Sequence, residues 1–249
     1  MGHPAIRRMV WCVVLAAAAV AVALAAAPSL GAQEREAPRG FLGLSFVAGD
    51  PVGDLSAFFD RGFGAQLEGS WAMTEDSRVR LRGDLGFLVY GHERIRYCYS
   101  VPIGCRVEAE LTTTNNIVYF GLGPEIAFTA GALEPYVYGT TGLSYFATVS
   151  SLDGADGGPS WAETTNYDDV VMAWRVGGGM RLRVSNGRRP VSLDFGVERH
   201  QNGVASFLTE GDILDNPDGS ITLFPNRSEA NLVTFRLGVT VGIGGGRRD

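Results

Sequence analysis

The stretch from Arg78 to Tyr90 reads RVRLRGDLGFLVY, in which charged and apolar side chains largely alternate along the chain. Because successive side chains of a β-strand point to opposite faces, this pattern predicts a strand with one charged face and one apolar face. Such a strand suits a sandwich with its charges in water, or a membrane barrel with its charges inside. The pattern therefore favours an all-β fold and leaves open which face meets solvent.

The same alternation recurs along the chain, and no helical period of 3.6 residues persists after the N-terminal stretch. We expect strands at about residues 40–48, 62–73, 78–90, 115–129, 134–149, 170–184, 190–200 and 231–243. Short turns follow the second, fourth and sixth strands, and long connections follow the first, third, fifth and seventh. This rhythm predicts an all-β fold, an eight-stranded antiparallel up-and-down transmembrane β-barrel, rather than a soluble sandwich.

The N-terminus is typical of an exported protein. Two arginines precede an alanine-rich apolar stretch, Met9 to Ala27, and small residues before Gln33 offer a cleavage site. An uncleaved membrane anchor is the alternative, because about 18 apolar residues can span a bilayer. We expect residues 1–32 to be a cleaved signal peptide and residues 33–249 to form a single barrel domain in a bacterial outer membrane.

The composition of residues 33–249 excludes some functions. This part has 19 arginines, no lysine and 27 acidic residues, and most of the arginines are scattered singly. An acidic chain without a basic stripe does not suit nucleic-acid binding. No apolar run after residue 32 is long enough for a transmembrane helix, so any membrane crossing would use strands.

The charged face of the predicted strands belongs inside a barrel of this size. Eight strands enclose only enough room for side chains, and buried charges are costly unless they are paired. We therefore expect a network of ion pairs across the interior, with glycines on the same face making room for long arginine side chains. Its predicted members are Glu68, Arg80, Arg82, Asp84, Glu125, Arg175, Arg181, Arg183, Asp194, Glu198 and Arg236.

Two cysteines follow the third strand, in the segment YCYSVPIGC. Export would place Cys98 and Cys105 in a compartment that permits disulfides, and the Pro-Ile-Gly turn between them suits a bridge that closes one loop. A metal pair is the alternative, but only His92 lies near enough in sequence to assist it. We predict the disulfide.

These features resemble the small eight-stranded outer-membrane barrels, the OmpA-like or outer membrane protein beta-barrel domain families. The resemblance is carried by GDPVGDLSAFFDRGFGAQLEGSW, LRGDLGFLVYG, GLGPEI, EPYVYGTTGLSYF and FRLGVTVGIG, and it covers essentially all of residues 33–249. The motifs are specific for the barrel architecture but give little information about function. The resemblance implies outer-membrane lipid and lipopolysaccharide as surroundings, and periplasmic chaperones and the barrel-assembly machinery as partners in biogenesis.

We expect a non-enzymatic barrel whose long external loops serve anchoring, envelope support or partner binding, with no cofactor. A narrow pore or a passage for small molecules is the first alternative. A lipid A-modifying enzyme is the second, and it would use His200 with Glu198, although Asn202 stands where the deacylase pattern has serine. The acidic stretch from Asp212 to Gly219 is better explained by turn chemistry than by metal binding.

Overall fold

The computed structural model describes residues 38–98, 108–128, 132–154, 160–186, 189–209, 211–216 and 221–243. The predicted signal peptide lies outside these residues. Eight long strands form the body of the protein: β1 (Gly40–Pro51), β2 (Gly62–Ala72), β3 (Val79–Cys98), β4 (Glu108–Ala127), β5 (Leu133–Gly154), β6 (Ser160–Ser185), β7 (Val191–Asn202) and β12 (Leu232–Ile243).

These strands pair antiparallel in the ring β1-β12-β7-β6-β5-β4-β3-β2, which closes where β1 pairs with both β2 and β12. The predicted eight-stranded up-and-down barrel is confirmed. The base of the barrel carries the three short turns, and the mouth is the opposite end, where Pro51, Gly62, Asn202 and Leu232 lie.

One short turn at the base, between β2 and β3, is fixed by a carboxylate. Asp76 accepts hydrogen bonds from the Thr74 hydroxyl at 2.6 Å and from the Arg78 backbone N–H at 3.2 Å. These bonds stabilise the ionised form and hold the pKa of Asp76 below its usual value. Arg78 therefore lies in the turn, exposed and paired with Asp76, rather than inside the barrel with Arg80.

Four neighbouring strands run well past the others at the mouth, which differs from the sequence prediction. Residues 91–98 of β3, 108–116 of β4, 148–154 of β5 and 160–172 of β6 form what we call the raised sheet. Threonine, serine and asparagine occupy both of its faces, so no apolar alternation marks most of these residues as strand. Only residues 115–116, 148–149 and 170–172 fall within the predicted strands. The 13 residues of β6 in this sheet extend roughly 40 Å along the strand.

The long connections expected from the sequence contain small elements of their own. They are the 3₁₀ helix η1 (Gly53–Ala57) and the strands β8 (Val204–Phe207), β9 (Ile213–Asp215), β10 (Ile221–Leu223) and β11 (Asn226–Glu229). β8 pairs with β11, and β9 with β10. No helix in the described part of the chain is long and apolar enough to cross a membrane.

Candidate functional site

The barrel interior holds the charged residues that the alternation assigned to it. Ten of the eleven predicted members are at most 4% exposed, whereas Arg183, near the base end of β6, is only half-buried. Five guanidinium groups and six carboxylates are buried in the described residues, so their charges nearly cancel. Such near-neutrality is what burial of so many charges requires.

Glu125 on β4 is the hub of the network toward the base. Its carboxylate accepts hydrogen bonds from Arg80 at 3.2 Å, from Arg82 at 2.9 Å and from Arg181 at 2.8 and 2.9 Å. These arginines come from β3 and β6. One carboxylate therefore ties together three strands of the wall.

Glu134 completes this group, although sequence reasoning missed it. Its carboxylate accepts two hydrogen bonds from Arg80, at 2.8 and 2.9 Å, and one from Arg181 at 3.0 Å. It precedes Tyr136 and Tyr138 on the inward face of β5. The spacing of two residues between these three positions is the sequence signal that indicates an inward-facing Glu134. Arg80 and Arg181 thus share two carboxylates, those of Glu125 and Glu134, rather than one.

A second group lies around Glu68 on β2. Its carboxylate accepts hydrogen bonds from Arg82 and, at 2.6 Å, from Arg236 on β12. Asp194 on β7 accepts from Arg181 at 3.1 Å and from the Tyr136 hydroxyl at 2.6 Å. These contacts run across the interior as well as around the wall.

Nearer the mouth, a smaller cluster contains the histidine that we considered for enzymatic chemistry. Arg175 on β6 donates to Asp84 on β3 across the barrel at 2.7 Å and lies 3.4 Å from Glu198. His200 Nε2 is 2.8 Å from Glu198 Oε1 and 3.2 Å from Thr234 Oγ1. His200 is 1% exposed, so this pair faces the interior and not the lipid boundary.

Two inward-facing glycines demonstrate how closely the long side chains pack against the wall. A Cβ on Gly121 would lie 1.9 Å from an Nη atom of Arg175, and one on Gly177 would lie 2.6 Å from the Tyr138 hydroxyl. Any other residue would displace the buried groups. The glycines therefore make room for the network.

Above this charged half, the interior toward the mouth is apolar. Leu88, Ile117 and Phe146 project inward from the wall and pack with residues from the connections. We call the connecting part the plug: η1 with Leu55 and the β8–β11 hairpin with Ala205 and Phe207, which are at most 2% exposed. Parts of the long loops expected from the sequence therefore fold inward, because they carry apolar side chains that cover the mouth.

Comparisons with known proteins find likeness in overall shape only. No protein-family model matches the chain, and no curated protein is similar to it in sequence. Solved structures that resemble it include Neisserial surface protein A (12% identity, 82% of this chain and 97% of that one, TM-score 0.41) and the attachment invasion locus protein Ail of Yersinia pestis (11%, 83% and 99%, 0.44). A major outer membrane protein from Thermus thermophilus also resembles it (13%, 81% and 99%, 0.39). The eight-stranded assignment itself rests on the strand pairing.

The remaining sequence candidates fall partly outside the described residues. Cys105 is one of these, so the bridge to Cys98 stays a prediction. In the acidic stretch, Asp212 uses one carboxylate oxygen to accept hydrogen bonds from the Thr209 backbone N–H and hydroxyl. No group of three or more histidine, cysteine or acidic side chains among the described residues could hold a metal ion.

Proposed function

We propose that this protein is an integral outer-membrane barrel without enzymatic activity, which anchors the raised sheet and the plug at the cell surface. The observation that carries the proposal is the outward face of the ring. Every barrel strand places an apolar side chain there that is about half exposed: Leu42, Leu67, Leu85, Phe120, Val137, Trp174, Phe195 and Leu237. A continuous apolar belt around an ion-paired interior suits lipid outside.

The height of this belt agrees with a bilayer. On β3, the outward residues from Val79 to Val89 span ten residue steps, or about 33 Å along the strand. At the usual strand tilt, this corresponds to an apolar band about 25 Å tall. Trp71, near the base, and Trp174, toward the mouth, suit the interfacial positions that tryptophan prefers.

The filled interior disfavours the transport alternative. The charged half is crossed by ion pairs such as Arg175–Asp84 and Arg236–Glu68, and the plug covers the other half. A pore would need side chains that leave a continuous passage. The geometry therefore supports an anchor over a channel.

The raised sheet is what such an anchor would display. One face of the raised sheet continues the interior face of the barrel wall, and it carries hydroxyl and amide groups that are hydrogen-bonded to one another. The bonds join Thr113 and Ser150 at 2.8 Å, Asn166 and Ser150 at 2.7 Å, and Thr148 and Asn115 at 2.7 Å. These bonds hold neighbouring strands together above the belt. A polar sheet of this kind can stand in water beside a membrane.

The first test is extraction. Membranes from cells that express the full chain should retain the protein through carbonate and urea washes and release it only with detergent. An epitope inserted after residue 156, between β5 and β6, should react with antibody on intact cells. Release without detergent, or an epitope reached only after lysis, would overturn the proposal.

The second test separates the anchor from the channel. The purified barrel in a planar bilayer should give no stable conductance steps. A variant without residues 204–229, which removes the β8–β11 hairpin of the plug and leaves η1, serves as the comparison, because a passage covered by the hairpin would then open at the mouth. Steady current through the unaltered protein would favour transport instead.

A further inference from the structure

Three large apolar side chains are exposed at a distance from the belt, in the connection between β8 and β11. Most other exposed large apolar side chains in the described residues lie on the outward face of the barrel strands, where the belt accounts for them. Leu214, Ile221 and Phe224 are 47–57% exposed and lie on or directly after β9 and β10. We call β9, β10 and Phe224 the outer hairpin. Clustered apolar side chains that stay exposed are typical of an interaction site.

The ladder of the outer hairpin brings two of these side chains together. Leu214 pairs with Thr222, and the Phe224 N–H donates to the Asp212 carbonyl at 2.9 Å, which continues the ladder toward the plug. Leu214 and Phe224 are therefore diagonal neighbours on one face, about 7 Å apart. Ile221 comes one residue before Thr222 and so lies on the other face. The hairpin thus presents apolar side chains on both faces, with Leu214 and Phe224 as the larger group.

Polar contacts hold the outer hairpin in a fixed shape. At its root, the Asp212 carboxylate accepts hydrogen bonds from the Thr209 backbone N–H at 2.7 Å, from the Thr209 hydroxyl at 2.8 Å and from the Asn226 amide. Farther out, the Asn216 amide donates to the Thr222 hydroxyl at 3.0 Å. A surface that is already ordered loses less entropy when a partner binds. The apolar side chains are therefore displayed in advance of binding.

The charge of this segment indicates what kind of surface would cover it. Residues 209–225 contain four acidic residues and no basic one. Elements that insert into a membrane surface are rich in lysine and arginine, and an anionic lipid surface repels an acidic segment. A second copy of the chain that bound through the same hairpin would bring like charges together. A partner with basic residues around an apolar pocket complements both the charge and the apolar side chains.

We propose that the outer hairpin binds a protein outside the cell that presents an apolar pocket flanked by basic residues. This inference rests on the proposed function, because it requires the mouth to face outward. Leu214 and Phe224 enter the pocket, since the buried centre of a protein interface is apolar and its rim is polar. The acidic residues attract the basic rim and raise the rate of association.

The test uses the purified chain in phosphatidylcholine nanodiscs, with a display library of ankyrin-repeat domains as the probe. The randomised concave surface of these domains can form a pocket. Selection runs in parallel on the unaltered chain and on the variant Leu214→Ser with Phe224→Ser. The control is Ile95→Ser, which removes another exposed apolar side chain, in the raised sheet. All three substituted side chains are exposed, so the variants should fold and insert normally.

We expect most domains selected on the unaltered chain to converge on the outer hairpin and to be enriched in arginine, lysine and apolar residues. They should bind the double variant about 30-fold more weakly, as loss of anchoring side chains at an interface does, and bind Ile95→Ser without loss. Raising sodium chloride from about 50 to about 500 mM should weaken binding several-fold. Selected domains that bind the double variant equally well, or that lack excess basic residues, would overturn the inference.

Two further measurements address the other occupants of the outer hairpin. The emission that Phe224→Trp adds to the chain should not be quenched by lipids with brominated acyl chains, because quenching would place the hairpin in the membrane. Light scattering in detergent should show no dimer that Leu214→Ser with Phe224→Ser abolishes. Either contrary result would overturn the inference and leave the proposed function intact. An unaltered chain that does not enter nanodiscs would overturn the proposed function itself.

Discussion

The two halves of the barrel interior are filled in different ways. Toward the base, strand side chains alone close the interior, and Glu125 and Glu68 join arginines from several strands. Toward the mouth, wall residues leave an apolar space that is filled from outside the eight barrel strands, by Leu55 and Phe207 of the plug. The charged half is therefore built into the wall, whereas the apolar half depends on segments that fold over it.

This difference predicts different dynamics. Breaking the charged half requires neighbouring strands to separate, which opens the whole ring. The plug can leave as a unit, because its β8–β11 hairpin pairs with itself and is not part of the ring. Local openings cost less than global unfolding when few elements are involved. We expect the plug to open more often than the strands below it.

The largest effect should come from the hub of the charged half. Glu125→Gln leaves Arg80, Arg82 and Arg181 facing a neutral amide, and removal of one partner from a buried ion pair typically costs 3–5 kcal/mol. We expect a loss of about that size in the free energy of unfolding, measured by urea titration of the barrel in lipid vesicles. All strands should unfold together.

Glu163→Gln is the matched control for this prediction, since Glu163 is exposed in the raised sheet. It should leave the urea midpoint almost unchanged. Equal losses for the two variants would mean that the stability depends on total charge rather than on the buried network.

The apolar half should respond locally. Phe207 is 2% exposed and packs edge-on against Phe58 with ring centroids 5.2 Å apart. Phe207→Ala would leave a cavity of the kind that costs about 3–5 kcal/mol in a core. We expect this loss in the opening of the plug, seen as faster hydrogen exchange of the β8 and β11 amides. If hydrogen exchange in β3 to β6 accelerates equally, the plug unfolds together with the barrel, and the two halves of the interior do not open independently.

The alternation predicts which charged residues lie inside the barrel better than it predicts which of them pair with one another. The alternation places Arg80 and Arg82 inside the barrel together with Glu68 and Asp84 of the same hairpin region, where ion pairs among them are expected. Arg82 does pair with Glu68, as expected. Arg80 instead bonds to Glu125 and Glu134, and Asp84 to Arg175. The stagger between strands decides which side chains meet across a barrel, and a single strand contains no information about stagger.

The apolar half and the raised sheet could not be predicted in this way. Leu55 and Phe207 lie in segments whose glycines and polar residues indicate loops, and their burial depends on tertiary packing alone. Thr113 and Ser150 are in strands with polar residues on both faces, where a period of two cannot be detected. A clue for the plug was the cluster of large apolar side chains at Leu55, Phe58 and Phe59 within a polar stretch.

The smallest effect on stability should come from an exposed ion pair outside the plug. Comparing this pair with the buried network separates the contribution of charge from that of burial. Arg61 donates to both carboxylate oxygens of Asp50 at the mouth, at 2.5 and 2.8 Å, and its side chain is 55% exposed. Water and salt screen such a pair, so Arg61→Gln should shift the urea midpoint slightly at low salt and not at all in 1 M sodium chloride, where the Debye length is about 3 Å. The loss in Glu125→Gln should persist at both salt concentrations, because its charges are buried. A salt-dependent Glu125→Gln effect would indicate that water reaches the charged half, and the filled interior would then no longer argue against a passage.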